Sequence, residues 1–353
     1  MTNVKFEGTW TALVTPMSPG GGIDWDGFRK NIDFQTSQGI SGILPVGTTG
    51  ESPTLDWNEH KEVIGKAIEY SGARCAVIAG CGSNSTEETV AAVASAKKMG
   101  AGAVLLVDCY YNGPSSLELR KEYYEPVAKE FPDIYIVPYI IPGRTGTALS
   151  PEDVALLSWK FPNISAVKEA TGDTERMRKT RCLAREDFSI LSGDDDITFN
   201  IMIDPRIRAS GVISVIANII PGAIGKMAKS VLSGKQGEAR EIHEKIQPLL
   251  SAVTVKCRNE RVLPEDRRVL VEDRFRNPVP VKTMMNGLGM PAGPCRRPLG
   301  RMSRAGVETA RSALRAVWEK DPAVLEPVSV FYKTDIEERL GNDSYWEAQA
   351  YYD

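Results

Sequence analysis

Short apolar runs rich in β-branched residues alternate along this chain with stretches whose apolar positions recur every three or four residues. Runs of the first kind mark buried strands, and stretches of the second kind mark amphipathic helices. The strand-like runs are Trp10–Thr15, Gly42–Val46, Ala76–Ala79, Ala103–Val107, Ile134–Tyr139, Ile164–Lys168, Ser189–Ser192 and Gly211–Val215. Helical periodicity covers Asp26–Gln38, Glu59–Tyr70, Glu87–Met99, Leu117–Glu130, Pro151–Trp159 and Thr174–Ala184. The repeat is roughly 25 to 33 residues, one strand and one helix per unit, and strands separated by helices pair in parallel. Eight such units close on themselves, so the pattern predicts an α/β fold, a (β/α)8 TIM barrel followed by a C-terminal helical region.

Punctuation agrees with this division. Ser150-Pro151-Glu152-Asp153 places a capping hydroxyl, a first-turn proline and acids where a helix begins. Gly39, Gly72, Gly100 and Gly234 follow helical stretches, as left-handed stops do. The barrel is assigned to residues 1–234 and a helical domain to residues 235–320, with helices over Gln236–Val255, Val279–Leu288 and Ser303–Trp318. After Gly234 the strand signals stop. An insertion near residues 256–277, Lys256–Asn277, is dense in Arg, Glu and Asp around Pro264 and reads as an exposed loop. The tail, residues 321–353, carries Tyr332, Tyr345, Trp346, Tyr351 and Tyr352, too many aromatics for a disordered segment, and is expected to pack on another surface.

Composition narrows the class. Hydrophobic residues at 42% and charged residues at 25% are those of a globular protein rather than a disordered or fibrous one. A net charge of -3 supplies no broad basic field, so nucleic acid is not an expected partner. The N-terminal stretch lacks a secretory pattern and no run reaches the ~18 apolar residues of a membrane span, which predicts a cytoplasmic protein without membrane contact. Six scattered cysteines form no C-x-x-C pair, and only His60 and His243 are available beside them, so no zinc site is expected.

In a parallel barrel, chemistry gathers at the C-terminal ends of the strands. Lys168 ends an apolar run there; burial would lower the pKa of its amine and free the lone pair to attack a carbonyl. The alternative is a lysine turned to water or paired with Glu169. Tyr139 closes the preceding strand and is placed to pass protons to and from that amine. Thr48 and Thr49, flanked by glycines, offer hydroxyls and backbone N–H groups to a carboxylate, the alternative being a plain strand-to-helix turn, and Arg144 offers a bidentate partner to a second carboxylate or an ordinary surface salt bridge. Asp194-Asp195-Asp196 is read as helix capping rather than as a metal site, and no metal is expected.

The segments GTTGES, DCYYNGPS, PYIIPGRTG, AVKEATGD, LSGDDD and GVISVIAN, in this order and spacing, resemble the dihydrodipicolinate synthase/N-acetylneuraminate lyase family of pyruvate-dependent class I aldolases, from about Gly8 to Gly300. The resemblance implies Lys168 as the Schiff-base lysine, Tyr139 as the proton relay and Thr48 as its hydroxyl partner. It further implies Tyr111 as a tyrosine reaching across a subunit interface, hence a homodimer or a homotetramer built as a dimer of dimers. Thr49, Gly193 and Ile213 would bind substrate, with no cofactor beyond the covalent pyruvate imine. The GRTG segment resembles the synthase branch, in which the arginine matching Arg144 holds the carboxylate of aspartate semialdehyde. Pyruvate and that small aldehyde are thus the expected partners, and the product belongs to lysine biosynthesis. Ser52, Trp57, His60, Asn84, Glu88 and Tyr110 resemble an inter-subunit pocket where lysine inhibits some synthases. Ile140 departs from the family's usual asparagine, removing a polar group beside the relay tyrosine, and the insertion and the tail exceed what a compact synthase needs.

The same residues admit other readings. They are a sugar-acid aldolase or dehydratase, an N-acetylneuraminate lyase, and a catalytically silent binding barrel. Gly80-x-Gly82-x-x-Ser85 with Asp108 is in addition a near miss for a dinucleotide fingerprint, lacking its third glycine.

Overall fold

In the computed structural model, which describes residues 4–351, the eight apolar runs form eight strands. They are β1 (Gly8–Ala12), β2 (Gly42–Leu44), β3 (Ala76–Gly80), β4 (Ala103–Val107), β5 (Tyr135–Ile140), β6 (Ala166–Glu169), β7 (Ser189–Ser192) and β8 (Gly211–Ser214). Each pairs in parallel with the next, and β8 pairs with β1 to close the barrel. The run through Gly42–Val46 leaves the sheet after Leu44, since Val46 has a φ of 48°, a left-handed conformation no strand accommodates. Tyr352 of the aromatic tail lies outside the described residues.

Alternation along the strands sorts the side chains. Trp10, Leu44, Leu105, Tyr139, Leu191 and Ile213 fill the barrel interior, while Ile43, Val104, Ile136, Ile140, Val167 and Ile190 pack outward under the helices. Gly42 has to be glycine: a Cβ there would run into the Trp10 ring and stand 2.5 Å from the Ala76 carbonyl oxygen. Helices begin where caps were expected. Ser150 accepts from the Asp153 N–H, and Asp56 forms a capping box with Glu59.

Two expectations are corrected beyond the barrel. Strand structure does not stop at Gly234, and Lys256–Asn277 is no loop: β9 (Thr254–Val262) and β10 (Arg268–Arg276) form an antiparallel hairpin turning at Pro264–Asp266. The alternation is hidden because only the base, Val255 with Phe275 opposite it, packs into the protein, while Val262, Val269, Leu270 and Val271 farther out are apolar but exposed and blur any one-sided pattern. Leu117–Glu130 is helical but passes through a wide π-type segment at Leu119–Tyr124. The tail packs on the chain itself. Trp346 covers Gly287, where a Cβ would meet its ring, and its indole donates to the Arg339 carbonyl at 2.8 Å. The Tyr332 hydroxyl donates to Asn31 Oδ1 at 2.9 Å, tying the tail to the first barrel helix.

One buried ion pair joins the C-terminal helices to the barrel mouth. Lys282 Nζ stands 2.6 Å from Glu51 Oε1 and also donates to the carbonyls of Thr15 at 3.2 Å and Pro294 at 2.9 Å. Glu51 Oε2 accepts from the Arg296 N–H at 2.8 Å. Both side chains are essentially without solvent. Among the described residues, no helix is long and apolar enough to cross a membrane.

Removing one partner of such a pair strands the other charge. Lys282→Ala is therefore expected to lower the unfolding free energy by about 3–5 kcal/mol in urea melts, and a loss below about 1 kcal/mol would show that the pair does not hold the lobes together.

Candidate active site

Lys168 and Tyr139 sit directly opposite each other in the register of β6 and β5. Because both point inward, the lysine amine lies over the face of the tyrosine ring, 4.1 Å from its centroid. Lys168 is only 5% exposed. Burial is the main cause that brings its pKa down to about 8; Asp194 and Asp195 pull it back up, and Arg144 pushes it further down. About a tenth of the amine is thus uncharged at pH 7, against well under one part in a thousand for an ordinary lysine. Burial also lifts the Tyr139 phenol to about 12, opposed by Arg144, aided by Asp194 and opposed again by Thr48. The phenol stays protonated and is a donor at rest.

Gly193, at the end of β7, makes room for the lysine. Its N–H donates to the Glu169 carbonyl at 2.7 Å, and a Cβ there would stand 2.6 Å from the Ala170 Cβ and 3.2 Å from Lys168 Cε. Ile213 lies in the same interior cluster as Tyr139 and Ala170. A cavity of about 220 Å³ opens at the C-terminal end of the barrel, lined by Thr48, Ser52, Tyr110, Tyr139, Ile141 and Arg144 among others. Lys168 is not part of that lining; it is reached through Tyr139, whose ring its amine faces.

Arg144 rides on a short helix after β5, Pro142–Thr145, and its Nη2 donates to the Asn277 carbonyl at 2.8 Å. Protein packed around the guanidinium lowers its pKa, Tyr139 raises it, and Arg276 and Arg274 lower it again. Thr49 is buried, and its hydroxyl accepts from Asn277 Nδ2 at 2.9 Å. Asn277, Arg274 and Arg276 escaped sequence reasoning, since they come from a hairpin more than 100 residues along the chain and no local motif ties them to the barrel mouth.

Tyr111 is not gathered into the cavity of its own chain. It is 94% exposed, with a φ of 73° that a non-glycine residue rarely adopts. Ile140 does not stand beside the relay chemistry: it faces the outer helices while Tyr139 faces the interior, so the missing polar group leaves the site unchanged. The predicted regulatory residues fall into two groups. Ser52 and His60 are hydrogen-bonded at 3.2 Å with the Trp57 ring tilted against the imidazole at 5.1 Å, and Asn84 accepts from the Tyr110 N–H at 2.6 Å. Glu88 bonds the Ser83 hydroxyl. Burial drops His60 to about 4, so it is neutral at physiological pH.

Two further expectations are corrected. Asp194-Asp195-Asp196 does not cap a helix: Asp195 accepts from the N–H groups of Val215 at 2.8 Å and Ile216 at 3.2 Å and from the Ser214 hydroxyl, fixing the end of β8, while the next helix starts at Thr198 without a side-chain cap. Gly80 and Gly82 serve close packing rather than a dinucleotide. A Cβ on Gly82 would stand 2.5 Å from the Val107 nitrogen, and Asp108 is already occupied by the Tyr124 hydroxyl at 2.6 Å and the Leu149 N–H at 3.0 Å.

With this geometry in place, comparison with known proteins is specific. The dihydrodipicolinate synthetase family matches residues 5–317. A 4-hydroxy-tetrahydrodipicolinate synthase of Methanocaldococcus jannaschii is 39% identical over 310 residues, covering 88% of this chain and 98% of the relative. The solved 4-hydroxy-tetrahydrodipicolinate synthase of Methylacidiphilum fumariolicum SolV superposes with a TM-score of 0.80 at 33% identity, over 92% of this chain and 99% of that one. The lysine-bound dihydrodipicolinate synthase of Cyanidioschyzon merolae does so at 0.79 and 32%, over 88% and 98%.

Only an uncharged amine attacks a carbonyl, so the rate of adduct formation at Lys168 should climb about tenfold per pH unit below pH ~8 and level off above it. Single-turnover kinetics with pyruvate across pH 6–10 checks this; a plateau reached only near pH ~10, the value of an ordinary lysine, would mean the amine is not desolvated.

Proposed function

Because the chain belongs to the dihydrodipicolinate synthetase family, we propose that it condenses pyruvate with aspartate semialdehyde through an imine on Lys168, the 4-hydroxy-tetrahydrodipicolinate synthase reaction. The observation that carries this is the buried amine of Lys168 facing Tyr139 at 4.1 Å, beside a cavity that presents the guanidinium of Arg144. The protein is a class I aldolase-type enzyme. Thr49 and the backbone N–H groups around it hold the pyruvate carboxylate. The neutral Lys168 amine adds to the keto carbon, and Tyr139, passing protons with Thr48, delivers the proton that lets water leave as the imine forms. Loss of a proton from the pyruvate methyl group gives an enamine. Its carbon attacks the aldehyde, forming the new carbon–carbon bond, while Arg144 holds the aldehyde's carboxylate as a bidentate partner. The amino group of the former aspartate semialdehyde then adds to the imine carbon, closing the ring and expelling the Lys168 amine as the cyclic product leaves, so that the one water lost is the one released when the imine formed. The Ile213 carbonyl and Gly193 shape the pyruvate pocket.

Tyr111, so exposed in one chain, completes a Thr48–Tyr139–Tyr111 relay in a partner subunit of a homodimer, or of a homotetramer that is a dimer of dimers. The enzyme works in the cytoplasm, where its six unpaired cysteines stay reduced. Ser52, Trp57, His60, Asn84, Glu88 and Tyr110 form a lysine-binding pocket at that interface, by analogy with the lysine-bound relative.

Borohydride reduction in the presence of pyruvate, followed by digestion, is expected to add the reduced pyruvate mass to the peptide containing Lys168 and to nothing in Lys168→Ala. Tyr139→Phe should lower turnover by about 10²–10⁴-fold. In a panel of aldehydes, Arg144→Ala should damage use of aspartate semialdehyde far more than use of uncharged aldehydes; equal use of all of them would rule out this substrate.

A further inference from the structure

The hairpin distributes its charges unevenly. Directly opposed residues of an antiparallel pair share a face, and faces alternate along each strand. The register therefore puts Thr254, Lys256 and Arg258 of β9 on one face with Arg276, Arg274 and Glu272 of β10. On the opposite face Arg261 pairs with Asp273 at 2.8 Å, and farther out on this face Arg268 pairs with Glu260 at 3.0 Å. Near the base of this face the charges do not pair. Among the described residues, Lys256, Arg258, Arg274 and Arg276 form no ion pair, and Glu272 is the one acid opposing them on that part of the face.

Two of these unpaired cations, Arg276 and Arg274, lie close enough to Arg144 at the cavity to act on its charge. Arg276 Nη1 donates to the Gly143 carbonyl at 2.8 Å, and the next residue, Asn277, takes the Arg144 guanidinium on its carbonyl at 2.8 Å. The end of β10 thus clasps the turn that carries Arg144. Arg276 and Arg274 also act on Arg144 by charge, each opposing its protonated state, after burial and Tyr139. Three guanidinium groups crowded at one edge of a cavity repel each other. Backbone hydrogen bonds hold two of them there regardless, and the strain is relieved when an anion arrives.

We propose that Arg274 and Arg276, with Lys256 across the strand pair, are specificity-determining residues that draw the carboxylate of the aldehyde substrate toward Arg144. This rests on the reading that Arg144 receives that carboxylate, and it assigns a use to the inserted hairpin. The field acts on capture of the anion rather than on bond making, so it belongs in kcat/KM and weakens with salt over a Debye length of about 8 Å at 0.15 M.

Arg274 is the cleaner probe, because its side chain is exposed and makes no hydrogen bond among the described residues, whereas Arg276 also clasps Gly143. In the full-length enzyme at low salt, kcat/KM for aspartate semialdehyde should fall about 3-fold in Arg274→Gln and about 10-fold in Arg274→Glu, with kcat little changed. The ratio to wild type should collapse toward one at ~0.5 M salt, as screening removes the field. An uncharged aldehyde such as propionaldehyde should show no difference between the three enzymes; if it does not turn over, the salt dependence decides alone. Unchanged kcat/KM in both variants, a loss that persists at high salt, or an equal loss with the uncharged aldehyde would overturn the proposal. Failure of the parent assignment looks different: Arg144→Ala would then leave aspartate semialdehyde unaffected, or wild type would give no borohydride adduct with pyruvate.

Discussion

The buried contact between Glu51 and Lys282 is the joint on which the working geometry depends. Glu51 follows Thr48 and Thr49 in the loop after β2, and it sits at a φ of 58°, a left-handed conformation that the surrounding bonds must hold in place. Lys282 comes from the C-terminal helices, a few residues after Asn277, which itself bonds Thr49 and Arg144. The one ion pair therefore fixes the register of the threonine loop, the arginine turn and the C-terminal lobe together. Two charges without water tolerate little displacement, since a lost partner exposes the full cost of the remaining one.

Inside that frame, reactivity follows from competition between burial and charge at Lys168. Burial wins, leaving the amine near pH 8, while Asp194 and Asp195 keep it from falling further. Asp195 is itself consumed in fixing β8, so it acts on the lysine at a distance rather than as a salt-bridge partner. A direct carboxylate contact would have held the amine protonated and silent toward carbonyls. Tyr139 supplies a ring face and a phenol that keeps its proton at neutral pH.

The hairpin and the aromatic tail extend the barrel in different ways. The tail closes over the C-terminal helices through Trp346 and reaches the first barrel helix through Tyr332, adding packing. The hairpin adds charge: its base is anchored by Val255 and Phe275, and its basic face adjoins the turn holding Arg144. One extension serves cohesion, and the other shapes the field at the mouth.

The sequence alone determined the eight strands, their parallel order, the strand-end position of Lys168 and its pairing with the Tyr139 strand, because period and punctuation are local properties that each segment carries by itself. It also carried the family motifs. Tertiary structure alone decided that Ile140 faces away from the site, that Asp195 braces β8 instead of capping a helix, and that Lys256–Asn277 is a hairpin. It alone brought Asn277, Arg274 and Arg276 to Arg144 and Lys282 to Glu51. These are contacts between segments more than 100 residues apart. They arise from barrel closure and from exclusion of water around paired charges, and no window of neighbouring residues records either.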